Sequence, residues 1–153
     1  MLHASALKVS DNQGLLFSGT SGDGKSTTVK LWQKSGKGIL LGDERIAVRK
    51  IDGKFWLFST PWHGSGQPVG ADSALLDQLF ILQHGSENHA RRLKPAEAVS
   101  LLLARAYLPF WDRDGMEFSL AFLEDLCSSF PCYEFAFVPD QSAVEYIECL
   151  LSK

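Results

Sequence analysis

Short apolar runs alternate with polar turns along the first sixty residues, and three helix-like stretches dominate the second half. Leu2 to Val9 alternates loosely and predicts a first strand. The Asp11-Asn12-Gln13-Gly14 turn returns it as a hairpin into Leu15-Leu16-Phe17. Val29, Leu31 and Trp32 sit on a segment with no breaker before Gly36, which predicts a helix capped near Ser35-Gly36-Lys37-Gly38. Ile39-Leu40-Leu41-Gly42 is a compact apolar run. Ile46–Ile51 and Lys54–Ser59 flank Asp52-Gly53, the strongest short hairpin signal in the chain. Ala74 to Gln83 suggests a buried strand centred on Leu79–Leu82. Helices are predicted over Pro95–Tyr107, Met116–Phe130 and Ser142–Leu151, with a late strand at Tyr133–Val138. In the second helix Phe118, Phe122, Leu123 and Leu126 are expected to share the buried face. The sum is an α/β fold with hairpins in its first half.

Between the second apolar run and the first helix lies Gly19-Thr20-Ser21-Gly22-Asp23-Gly24-Lys25-Ser26, a full match to G-x-x-x-x-G-K-[ST]. Such a match arises by chance in only about 1% of chains this long. Strand, glycine-rich loop and helix start occur in the required order. Glycines let successive N–H groups turn inward around phosphate oxygens, and the helix N-terminus adds its positive dipole end. The residues expected to cradle a nucleotide are Gly19, Thr20, Ser21, Gly22, Asp23, Gly24, Lys25, Ser26 and Thr27. Lys25 reaches the terminal phosphates, and the Ser26 hydroxyl is placed for Mg²⁺.

Composition narrows the partners. The chain has 153 residues, 45% hydrophobic and 22% charged, with a net charge of −3. That is enough sequence for one hydrophobic core over residues 1–153. Mild acidity argues against nucleic acid or an anionic membrane as partner. No apolar stretch approaches the roughly 20 residues of a membrane span. The N-terminus lacks a signal-peptide layout, so a cytoplasmic location is expected. Cys127, Cys132 and Cys149 show no paired spacing and read as reduced, mostly buried thiols; a Cys127–Cys132 disulfide is the less favoured alternative.

Asp43 and Glu44 follow the apolar run Ile39–Gly42, where a phosphate-loop enzyme places an acidic group. A carboxylate there either holds Mg²⁺ or takes the proton of an attacking hydroxyl. About 17 residues separate Lys25 from Asp43, with one helix between them and a hairpin at once afterwards. This compact spacing, Gly-Thr-Ser-Gly-Asp-Gly-Lys-Ser-Thr followed by Leu-Leu-Gly-Asp-Glu-Arg (40–45), resembles the HPr kinase/phosphorylase family and its relative phosphoenolpyruvate carboxykinase. The resemblance implies a P-loop domain with a mixed sheet, β-hairpins and flanking helices, using ATP and Mg²⁺. In that family the loop is followed by a strand ending Asp-Asp-Arg, whose first Asp is the general base toward a serine hydroxyl; the role falls on Asp43. A histidine in a strand one hairpin before the loop stands near the reacting phosphate, and His3 is placed to supply it. Glu44, in place of the family's second Asp, is the candidate metal ligand beside Ser26. The segment Pro61-Trp62-His63-Gly64-Ser65-Gly66 looks like a Pro-Trp-x-Gly loop of smaller relatives; the alternative is a turn anchored by a buried Trp62.

The resemblance implies a kinase whose acceptor is a serine on a protein, a peptide or a small molecule, and whose subunits assemble as homo-oligomers. No counterpart is assigned to the family's downstream metal-binding glutamate, and carboxykinase activity is not expected, since no match to the longer carboxykinase body that binds oxaloacetate is read in these residues. The rival expectation is a nucleotide-binding regulatory module without catalysis; a simple NTPase lacks a residue to position water. The His84–Arg92 stretch reads as a solvated loop, with a charge-stabilising arginine as its functional alternative. Trp111–Gly115 reads as a turn, and no zinc site is expected.

Overall fold

The computed structural model describes residues 1–10, 12–62 and 72–152. Its elements run β1 (Leu2–Ser10), β2 (Gln13–Ser18), α1 (Lys25–Ser35), β3 (Ile39–Gly42), β4 (Arg45–Ile51), β5 (Lys54–Phe58), β6 (Ser73–His84), β7 (His89–Arg92), α2 (Pro95–Leu103), α3 (Arg113–Ser129), β8 (Cys132–Phe137) and α4 (Ser142–Leu151). The fold is mixed α/β. β2–β6 and β6–β8 pair in parallel, and the other strand pairs are antiparallel. The order is β2-β1-β4-β5-β6-β8-β7, with β3 beside β1. β6 meets β5 through Ser73–Leu75 and β2 from Leu76 onward, so the path β2-β1-β4-β5-β6 closes on itself.

Strand alternation divides the core in two, because successive side chains point to opposite faces. Leu16, Leu79 and Ile81 pack with Ala98, Leu102, Leu123 and Leu126 of α2 and α3. Leu15, Phe17, Phe80 and Leu82 pack with Val29 and Trp32 of α1 and Val144 and Ile147 of α4. Strands buried on both faces must be apolar throughout, which is why Leu15–Phe17 of β2 and Leu79–Leu82 of β6 read as unbroken runs. Burying a side chain the size of Val29 contributes roughly 1.5–3 kcal/mol, which anchors α1 and the loop that precedes it.

The β4–β5 hairpin forms in the expected register, Ala47↔Phe58 to Ile51↔Lys54, with positive φ at both Asp52 and Gly53. Gly36 caps α1 in the left-handed conformation. Several boundaries differ from expectation. Residues 89–92 are not loop: β7 pairs with β8. α2 stops at Leu103 rather than Tyr107, because the backbone of 105–107 bonds to the start of β1 instead. α3 begins at Arg113, within the expected turn, since the Asp112 carboxylate accepts the Gly115 N–H at 3.1 Å and caps it. Phe118 is largely exposed rather than core. Cys127 and Cys132 are buried and free, and Cys149 is exposed.

Candidate functional site

Local chemistry shapes the phosphate loop. Gly22 and Gly24 have φ of +95° and +94°, conformations that L side chains rarely adopt. At Gly24 a Cβ would also lie 2.6 Å from Cζ of Phe137, so β8 presses directly on the loop's last turn. Asp23 folds back, its Oδ2 accepting both the backbone N–H and the hydroxyl of Thr20. Lys25, 8% exposed, donates from Nζ to the carbonyl oxygens of Gly19 (3.0 Å) and Thr20 (2.8 Å). Burial lowers the Lys25 pKa below its ordinary value, against the opposing pull of Asp23, Asp43 and Glu44.

Asp43 stands across from the loop. β1 pairs with β3 through Ala6–Lys8 and with β4 through Leu2–His3, so β3 and β4 form one interrupted strand along it. The interruption is Asp43–Glu44. Glu44 has φ +95°, a strained conformation for a residue with a Cβ, while its carbonyl oxygen still accepts the Ala4 N–H. That kink turns the 8%-exposed Asp43 toward α1. Its Oδ2 accepts the Ser26 hydroxyl at 2.8 Å and its Oδ1 the Ser5 hydroxyl at 2.6 Å.

A cavity of about 350 Å³ joins these groups, lined by His3, Ser21, Gly22, Gly24, Lys25, Ser26, Thr27, Asp43 and Glu44. Gly19, Thr20 and Asp23 shape the loop from outside that lining. His3 lies on the phosphate-loop face of β1 with Ser5, while Leu2 and Ala4 point to the opposite core. Burial pushes the His3 imidazole below its ordinary pKa, Lys25 adds to that, and Glu44 and Asp43 oppose it. The oxygen donors fit Mg²⁺: the Ser26 hydroxyl and the Asp43 and Glu44 carboxylates share one cavity. Among the described residues no cluster of three or more His, Cys, Asp or Glu side chains could cage a metal.

Other sequence candidates fall elsewhere. Arg91 is bound to Glu134 at 2.9 Å and to Glu97 at 3.4 Å on the β7 edge, so it is committed away from the loop. Trp62 is 54% exposed and not a buried anchor; its ring stands 5.9 Å from the Arg45 guanidinium carbon. His63 to Gly66 of that segment lie outside the described residues. Two contacts had no signal in the sequence. Ser5 reaches Asp43 through strand pairing, and His84, at the end of β6, places Nε2 2.8 Å from the Gly22 carbonyl oxygen. A second cavity of about 610 Å³, more apolar and lined by Val48, Tyr107, Phe118 and Phe122 among others, contains none of the expected site residues.

The sequence matches no family model, and it matches no curated protein. The structure is similar to that of the Hpr(Ser) kinase/phosphatase from Coxiella burnetii, with a TM-score of 0.40 and 14% identity. The alignment covers 60% of this chain and 69% of that one, a distant structural relationship. Among the described residues no helix is long and apolar enough to cross a membrane.

Proposed function

We propose that this chain is an HPr-kinase-like P-loop phosphotransferase that moves the γ-phosphoryl group of ATP to a hydroxyl acceptor. The observation that carries the reading is the Ser26–Asp43 hydrogen bond at 2.8 Å, which sets a buried carboxylate beside the phosphate loop in the cavity that Lys25 lines. Loop amides and Lys25 bind the β and γ phosphates. Ser26 and the neighbouring carboxylates would hold Mg²⁺, which would supply charge neutralisation at the phosphates. Ser5 and Ser26 each use one lone pair of an Asp43 oxygen, and each oxygen keeps another for the acceptor proton. As the acceptor oxygen bonds to the γ-phosphorus, the bond to the β,γ-bridging oxygen breaks, ADP leaves, and Asp43 takes the proton.

A second reading has one observation in its favour. Both Asp43 oxygens already accept hydroxyls, an arrangement that also suits a carboxylate orienting a metal without taking a proton. Such a protein binds nucleotide–Mg²⁺ and signals without transfer. Calorimetric titration with ATP–Mg²⁺, followed by a screen for acceptors labelled from γ-labelled ATP, separates the two. Binding with transfer that Asp43→Asn abolishes supports the phosphotransferase. Binding with no transfer to any acceptor supports the module, and no binding sinks both.

A further inference from the structure

Three side chains that come from distant parts of the sequence form a row beside this cavity. His3 pairs directly with Arg45 across β1 and β4. On its other side, the Leu2↔Ala106 bridge is closed by His3 N–H to the Arg105 carbonyl (2.7 Å) and Tyr107 N–H to the Met1 carbonyl (3.0 Å). That pattern sets His3 opposite Arg105 as well. Directly opposed residues in antiparallel strands project to the same face with Cβ atoms about 4.5–5.5 Å apart. Arg105, His3 and Arg45 therefore stand side by side on the face that carries the phosphate loop.

Among the described residues neither arginine has a carboxylate within ion-pair distance, and the Arg45 guanidinium has no hydrogen bond. It is held by rings instead, with Tyr107 at 5.0 Å and Trp62 at 5.9 Å, which orient the plane and leave its donor edge free. Arg105 donates one N–H to the Leu101 carbonyl oxygen at 2.7 Å, while its Nε is buried with no partner. Buried donors are nearly always satisfied, so the orphaned Nε–H shows that Arg105 is not fully bonded by the residues around it. The row also has an electrostatic reason to exist. A substrate reaching Asp43 must approach two carboxylates and a polyphosphate, and an anionic substrate does so only with compensating positive charge.

We infer that the Arg105–His3–Arg45 row binds the acceptor, and that this acceptor carries a carboxylate or phosphate beside the hydroxyl it presents to Asp43. The inference rests on the phosphotransferase reading and adds the acceptor's chemical class. Arg45 and Arg105 do not line the phosphate-loop cavity, which His3 does, so the two arginines flank the wall of the cavity at His3 and stand outside the nucleotide's lining. Its planar forks suit an oxyanion.

The probes are O-phospho-L-serine and its carboxamide, titrated calorimetrically into protein saturated with ADP–Mg²⁺. Wild type is expected to bind the acid about tenfold or more better than the amide, the ordinary worth of a charge-assisted contact. Arg45→Gln removes that preference and leaves ADP–Mg²⁺ affinity within about twofold; Arg45→Lys, which keeps charge but not the fork, retains part of it. Arg105→Gln gives the same loss. Its half-buried side chain puts folding at risk, so its melting temperature is measured alongside, and Arg45→Gln alone decides if it unfolds. A preference for the acid unchanged in Arg45→Gln overturns the proposal. So does an equal loss of ADP–Mg²⁺ affinity, which moves the row to the donor. Wild type that binds ADP–Mg²⁺ and neither probe overturns the proposal alone. Wild type that does not bind ADP–Mg²⁺ overturns the phosphotransferase reading as well.

Discussion

The Ser26 hydroxyl and the Asp43 carboxylate, 17 positions apart, meet at 2.8 Å and tie the first turn of α1 to the end of β3. The contact is supported from behind, because Ser5 on β1 holds the other oxygen of the same carboxylate at 2.6 Å. One buried charge is thus fixed between two hydroxyls on separate elements. Removing one partner of a buried charged hydrogen bond leaves the other short of a contact, which costs about 1.5–3 kcal/mol. Ser5 is fully buried, so no water replaces its hydroxyl readily. Ser5→Ala is expected to destabilise the fold by about that amount. In a double-mutant cycle with Asp43→Ala, measured by urea denaturation, the coupling should reach about 1 kcal/mol or more. Additive effects would show that the two side chains do not hold each other.

The two glycines of the loop differ in what they avoid. Both have positive φ, but a Cβ on Gly22 meets nothing within 4 Å, whereas one on Gly24 runs into the Phe137 ring at 2.6 Å. Backbone strain alone costs roughly 1–2 kcal/mol, and overpacking adds another 1–3. Gly24→Ala should therefore lose clearly more stability than Gly22→Ala in urea denaturation. Phe137→Leu in the Gly24→Ala background should recover the packing share and leave the strain. Equal losses at the two glycines would remove Phe137 from the account.

What the sequence made legible follows from range. The loop, the helix it opens and the Asp52-Gly53 hairpin depend on neighbours within about ten residues, and each appears where its pattern places it. His3 could be read only by resemblance, and Ser5 not at all, because both reach the site by pairing of β1 with strands some forty positions on. Arg105 was hidden by the apolar periodicity of α2, which runs on past Leu103 although the backbone leaves the helix there to bond β1. β7 failed for a different reason. As a four-residue edge strand with two arginines it carries no alternation, and only its partner β8 defines it.

His3 gives the acid side of the stability profile a sign. Burial holds its folded pKa below the ordinary value of 6.5, so between the two values the unfolded chain binds more protons than the folded one. Stability then rises with pH through that window and falls as pH drops from 6.5 through the folded pKa. His3→Gln removes this contribution. The difference in unfolding free energy between wild type and His3→Gln should be flat above about pH 7 and should shift against wild type on acidification below 6.5. Urea titrations at closely spaced pH values measure it, and a difference that does not vary with pH would show that His3 titrates as it does in the unfolded chain.

Asp23 sets a negative charge inside a loop built for phosphate. Its carboxylate accepts the Thr20 N–H and hydroxyl, and it acts on Lys25 to hold the ammonium protonated. Two effects oppose each other on substitution. The carboxylate repels a polyphosphate, but its hydrogen bonds also close the loop. Asparagine keeps a carbonyl oxygen for Thr20 while deleting the charge, so repulsion is the main thing removed. The residue is only half-buried, which limits the gain to a surface-pair magnitude of about 1 kcal/mol. Asp23→Asn should tighten ADP–Mg²⁺ binding by about three- to fivefold at low ionic strength, with the advantage shrinking as salt is raised. Asp23→Ala loses the closing bonds too and should gain less or bind more weakly. If Asp23→Asn itself weakens binding, the carboxylate is needed to shape the loop, and its charge is a cost the loop tolerates for order.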